Sequence, residues 1–117
     1  NKFIDSASLS PNGKKILFSS KNSIDPEASS AITLFDLETG KEEVMLKDSK
    51  ELLNVHQPVY SKSGKGFYFI TDLNKLVKDK VTKTETHPVA IKFFDFTSNK
   101  LEDVWFKENG TPINIYF

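Results

Sequence analysis

Ser10-Pro11-Asn12-Gly13-Lys14-Lys15-Ile16-Leu17-Phe18-Ser19-Ser20 is written near the start of the chain and again, 51 residues on, as Ser61-Lys62-Ser63-Gly64-Lys65-Gly66-Phe67-Tyr68-Phe69-Ile70-Thr71. A second phrase, Ile32-Thr33-Leu34-Phe35-Asp36-Leu37-Glu38-Thr39-Gly40-Lys41, returns 59 residues on as Ile91-Lys92-Phe93-Phe94-Asp95-Phe96-Thr97-Ser98-Asn99-Lys100, and the order of the two phrases is kept. The first phrase joins a turn to an apolar strand. Pro11 presets φ at about −65° for the second turn position, and Gly13 accepts the positive φ of a tight reversal. The run from Lys15 to Ser19 is then the return strand of a hairpin whose first arm is Phe3 to Leu9. In the second phrase Ala31 to Leu37 leads through Glu38-Thr39-Gly40-Lys41 into Glu43 to Leu46, a further hairpin. Four short strands per repeat predict a propeller, whose units cannot bury their own faces and are stable only when stacked.

The second unit follows the same plan. Val55 to Tyr60 and Gly66 to Ile70 flank the turn Ser61 to Gly64, and Val89 to Phe96 and Leu101 to Phe106 flank Thr97-Ser98-Asn99. Its internal connection is eight residues longer, and the stretch from Leu73 to Lys83 reads as an extended hairpin tip, with one helical turn as the alternative. Asn109-Gly110 is a turn signal. Ile113 to Phe117 alternates like a strand whose partner is missing from the sequence. The expectation is an all-β fold of antiparallel four-stranded β-propeller blades within residues 1–117: blade one over about 3–47, blade two over about 54–106, and the start of a third at 112–117.

Composition supports strands and names no partner. Ten Phe, three Tyr and one Trp suit a pleated, half-buried surface. Sixteen basic and sixteen acidic residues give zero formal net charge, so no global field draws in nucleic acid or an anionic membrane. Cysteine is absent, which excludes a disulfide framework, a thiolate zinc site and a cysteine nucleophile in this stretch. A cysteine-free chain suits the bacterial periplasm, where stray thiols are a liability, as well as a cytosol; a periplasmic or secreted location is the preferred expectation. No apolar run reaches the ~18 residues of a membrane span, and no charged-then-apolar leader precedes the first strand. A start at Asn1 suggests a processed or excised segment.

The two phrases resemble the β-propeller repeats of TolB and of the N-terminal propellers of the prolyl oligopeptidase family of serine peptidases. That pattern joins a Ser-Pro-Asp-Gly-like turn to an apolar strand and then to an apolar-Asp-Leu-x-Thr-Gly-Lys hairpin. Ser10 to Phe18 and Leu34 to Lys41 fit it closely. The second copy departs from it at Lys62, at Ser63 and at Asn99, the last compatible with the same turn because Asn tolerates the left-handed region. The opening Phe3 to Ser20 looks most like a first blade from a bacterial peptidase of this type, in which the propeller covers the active site of an α/β-hydrolase domain and restricts access to peptide-sized substrates. The resemblance therefore implies a non-catalytic gating segment whose partners are the rest of its propeller and a hydrolase domain. A TolB-like scaffold that holds a protein or peptide without catalysis is the alternative.

The chain itself carries no catalytic constellation. The five glycines, Gly13, Gly40, Gly64, Gly66 and Gly110, bracket no serine as a nucleophile elbow would. Gly64-Lys65-Gly66 lacks the spacing of a phosphate loop. His56 and His87 have no carboxylate cluster nearby and make a weak metal pair. Asp72-Leu73-Asn74 lacks the rest of a calcium loop. Lys75, Lys78, Lys80 and Lys83 form a basic tip without interleaved aromatics for base stacking, and Asn109-Gly110-Thr111 is followed at once by Pro112. No cofactor is expected. Asp36 and Asp95 precede matching turns, where a carboxylate accepts hydrogen bonds from turn N–H groups. The residues singled out are accordingly turn formers: Ser10, Pro11, Gly13, Asp36 and Gly40 in the first unit, Ser61, Gly64, Asp95 and Asn99 in the second. Two blades do not close a ring, so the isolated segment is expected to self-associate.

Overall fold

The computed structural model describes residues 3–23, 29–73, 77–78, 81–83, 85–86 and 88–107. Every regular element among them is a strand. The first sheet is a meander of β1 (Phe3–Leu9), β2 (Lys15–Lys21), β3 (Ser30–Asp36) and β4 (Glu42–Lys47), each antiparallel to the next. The second contains β5 (Leu52–Tyr60), β6 (Gly66–Leu73), β9 (Val89–Asp95) and β10 (Leu101–Lys107), again neighbours in chain order. Between β6 and β9, a separate two-residue ladder joins β7 (Val77–Lys78) to β8 (Glu85–Thr86), pairing Val77 with Thr86 and Lys78 with Glu85. That pairing is a hairpin and not a helical turn. His87, Asn109, Gly110 and the strand expected over 112–117 lie outside the described residues, as do Lys75 and Lys80.

The second sheet begins at Leu52, three residues before the strand start read from the sequence, because the connection from the first sheet is closed locally. The Ser49 N–H donates to the Leu52 carbonyl at 2.8 Å, and Ser49 Oγ accepts from the Leu52 N–H at 3.2 Å. Asp72 lies inside β6 and not beyond its end.

One face of the first sheet, here called its front, packs against one face of the second, its back. Leu17 and Ile32 from the front meet Leu52, Val55, Tyr60, Phe67, Phe69 and Phe94, with Leu34, Met45, Leu46 and Phe96 closing the margins. The alternation of β-strand side chains explains the division. Along β6, Phe67, Phe69 and Thr71 point to the first sheet, whereas Tyr68 and Ile70 point away and pack with Val59, Val89 and Ile91 on the second sheet's own front. The aromatic back is cross-linked by ring contacts: Phe67 stacks on Phe94 at 5.2 Å between centroids, and Phe96 lies 5.7 Å from Phe67 and 6.0 Å from Tyr60.

Gly66 makes room on the opposite face. A Cβ there would stand 2.1 Å from the Phe94 carbonyl oxygen and 2.4 Å from Phe93 Cζ. The missing side chain lets the Phe93 ring lie over the strand, 4.9 Å from Tyr68.

Candidate functional site: the seam between the sheets

The tight turns of both sheets gather at one end of the molecule. In the first, the Gly13 N–H donates to the Ser10 carbonyl at 2.9 Å, and Gly13 has φ 72°. In its repeat, the Gly64 N–H donates to the Ser61 carbonyl at 3.0 Å with φ 74°. Asn12 Oδ1 braces the first turn by accepting from the Lys14 N–H at 3.0 Å and from Ser10 Oγ at 2.7 Å. Ser63 takes over in the second, accepting from the Lys65 N–H at 3.3 Å and sharing a hydrogen bond with Ser61 Oγ at 3.2 Å.

The other pair of turns also repeats bond for bond. Asp36 Oδ1 accepts from the Glu38 and Thr39 N–H groups at 2.9 and 3.1 Å; Asp95 Oδ1 accepts from the Thr97 and Ser98 N–H groups at 2.8 and 3.1 Å. Gly40 closes one with φ 73° and Asn99 the other with φ 58°. The Thr39 and Glu38 amides hold the Asp36 carboxyl below its ordinary range, and Lys15 adds to the effect. Both carboxylates are turn braces.

Between these turns, where the sheets diverge, runs an open groove of about 540 Å³. Leu34, Met45, Tyr60 and Phe96 supply its apolar surface, with Lys15 and Glu43 at its rim. Ser10, Pro11, Gly64 and Asn99 line it, so four of the nine turn formers converge there. Asp36 lies on an adjoining recess with Thr39 and Lys41 that shares Lys15, Leu34 and Glu43 with the groove. Gly13, Gly40, Ser61 and Asp95 shape the turns without lining the groove. Burial pushes the Tyr60 hydroxyl up to about 12.

Polar groups absent from the sequence reading hold the seam. The Tyr60 N–H donates to Ser8 Oγ at 3.0 Å, tying β5 to β1. Asp48 bridges the sheets with one carboxylate: Oδ2 accepts from the Ser30 N–H and Oδ1 from the Val55 N–H, each at 3.0 Å. Nothing in Lys47-Asp48-Ser49-Lys50 distinguishes that aspartate from an ordinary loop residue. β5 is itself irregular, with register shifts on both sides of His56 and positive φ at Asn54 (53°) and Gln57 (52°). Thr71 Oγ1 donates to the Leu53 carbonyl at 3.0 Å beside this irregular pairing. His56 Nδ1 lies 2.6 Å from the Asn54 carbonyl oxygen, so that nitrogen carries the proton. Among the described residues no three His, Cys, Asp or Glu side chains gather as a metal site, and no helix is long and apolar enough to cross a membrane.

Two of the comparisons with known proteins find similar chains. The chain is 31% identical over 121 aligned positions to the uncharacterised protein YdjN of Bacillus subtilis, an alignment covering 100% of this chain and 34% of that one. Among solved structures, TolB from Acinetobacter baumannii aligns with a TM-score of 0.49 and 21% identity over 87% of this chain and 32% of its own. No family model matches. The chain thus spans about a third of the length of each of these proteins.

Proposed function

We propose that this chain is a non-catalytic pair of consecutive blades from a larger β-propeller that serves as a scaffold for a protein or peptide ligand. One observation carries the reading: residues exposed on the outward faces are the repeat equivalents of residues packed at the seam. Leu9 and Leu37 are 57% and 46% exposed on the first sheet, while their equivalents on the second, Tyr60 and Phe96, pack into the core. Val104 and Trp105 are 49% and 43% exposed, while Met45 and Leu46, their equivalents on the first sheet, pack at the seam. At these four pairs of positions the apolar side chain is thus covered where a neighbouring sheet is present and exposed where none is, as a stacked repeat requires. In this reading the first sheet is blade one, the second is blade two, and residues 112–117 begin a third.

The resemblance of Phe3 to Ser20 to peptidase propellers supports a finer reading, in which the ring gates a hydrolase domain. The length of the Bacillus relative favours the plain scaffold. At 34% coverage it has roughly 340 residues, the length of about six blades alone at the spacing seen here. The inter-blade groove offers a protein or peptide ligand an open surface with Leu34, Met45, Tyr60 and Phe96 as its apolar part. The test is to treat the full-length natural polypeptide with a fluorophosphonate serine-hydrolase probe and to record its small-angle X-ray scattering. An unlabelled protein scattering as a single flattened ring supports the scaffold. Labelling, with a second lobe in the scattering, would replace it with the gating propeller, and a non-ring envelope would remove the blade reading altogether.

A further inference from the structure

The repeat that relates the two sheets also makes their open faces complementary to each other. At the seam, the back of the second sheet, carrying Phe67, Phe94 and Phe96, sits on the front of the first, carrying Leu17, Ile32 and Leu34. Shifting each residue by the repeat offset turns the back set into Ile16, Phe35 and Leu37, and the front set into Tyr68, Ile91 and Phe93. Both shifted sets are apolar. Both lie on the faces turned away from the seam, one on each side of the molecule. The bulge that shapes the seam is duplicated as well. β4 departs from register at Met45, opposite Ile32/Thr33, and β10 departs at the equivalent Val104, between Asp103 and Trp105.

We infer that, apart from the rest of its polypeptide, a second copy of this 117-residue chain docks head to tail, the back of its first sheet seated on the front of its neighbour's second sheet. The inference rests on the blade reading above, and the partner is argued from continuity with the seam already present within the chain. The contact is heterologous, so it closes into a ring where the rotation per blade permits and otherwise extends. Its weakness relative to the internal seam is also specified. Ser8 Oγ, which accepts from the Tyr60 N–H, is replaced in the copied contact by Val59, and Leu9 stands for Tyr60. Pro11, within 4 Å of the position a Gly64 Cβ would take, becomes Lys62 against Gly13. The Ser8–Tyr60 hydrogen bond, the two hydrogen bonds of the Asp48 bridge, whose repeat equivalent is Lys107, and one apolar turn contact are lost, so association depends on concentration.

The absence of cysteine allows a clean test. Leu9→Cys and Val59→Cys chains are prepared separately and oxidised alone and mixed. A head-to-tail contact brings the two different positions together, so the mixed disulfide forms at least about tenfold faster than either like pair. In parallel the unmodified chain is followed by sedimentation velocity and by emission of its single tryptophan, Trp105, which moves to the blue as that face is covered. The proposal is overturned if like-with-like disulfides dominate, or if the unmodified chain sediments as a monomer at all concentrations with unchanged emission. The second readout stands even if Val59→Cys fails to fold. Neither failure touches the blade reading, which is decided by scattering of the full-length polypeptide.

Discussion

The two sheets share their turns and differ in the strand that opens each. From Ser10 and from Ser61 onward the turn hydrogen bonds repeat almost one for one, although Ser63 replaces Asn12 and Asn99 replaces Gly40. β1 has a single register shift, between Ile4 and Ser6, whereas β5 has two and holds Asn54 and Gln57 at positive φ. The turns are local, satisfied by one carboxylate or hydroxyl and one residue able to adopt positive φ, so changed residues that keep those abilities leave them intact. β5 instead has to meet its own sheet and all four strands of the first. It accommodates both by breaking register, with the freed backbone groups taken up by Thr71 and Asp48. Local geometry survives sequence drift, and strand regularity gives way where two sheets must be joined.

Equivalent positions can therefore be set against each other. The largest difference is expected in the core: Phe67→Ala, at a fully buried site, should cost about 3–5 kcal/mol. Ile16→Ala, at the half-buried equivalent, should cost about 1–2 kcal/mol, both measured by urea unfolding of dilute chain. Equal costs would mean that the two faces are not inequivalent in burial. Next, Gly66→Ala must move the Phe94 carbonyl or the strand itself and should cost about 2–3 kcal/mol. Lys15→Ala, at the matching place in the first sheet, should stay within about 0.5 kcal/mol. A harmless Gly66→Ala would show that Phe93 does not lie over the strand.

Smaller again is the contrast between the turns. Gly40→Ala should lose about 1 kcal/mol because alanine resists φ 73°, while Asn99→Gly should change stability by only a few tenths, since either residue tolerates the conformation. The smallest effect near neutral pH is that of Tyr60. With its pKa raised to about 12, the folded state holds the phenolic proton more tightly than the unfolded chain, so this contribution is complete below about pH 10 and is lost as pH rises through 12. Ultraviolet titration should show a late-ionising component that Tyr60→Phe removes. An ordinary midpoint near 10 for all the tyrosines would place Tyr60 in solvent.

Most of the fold is legible in the residues because its signals are local and doubled. Glycine at the close of three of the four tight turns, aspartate before two of them and alternating Phe-rich strands recur at constant spacing. Asp48, Ser8 and the bulges of β5 are illegible for the opposite reason. Each acts across the seam, on a residue fixed by tertiary packing, and none has a repeated counterpart to mark it. The groove falls between these cases. Its turn residues stand out in the sequence, but their convergence with Leu34, Met45 and Tyr60 follows only from the way one sheet is laid on the other.

The central claim is that the outward faces are blade surfaces awaiting neighbours, and thiol protection at Leu37→Cys tests it most directly. The equivalent Phe96 packs against the core within this chain, whereas Leu37 is exposed. At a dilution where the 117-residue chain is monomeric, the introduced thiol should react with a maleimide at nearly the rate of a free cysteine. In the full-length polypeptide it should be protected by about tenfold or more, because the closing blade covers it. Equal, rapid labelling in both would contradict the account, since the face would then be open surface and the repeat would end where these two sheets do.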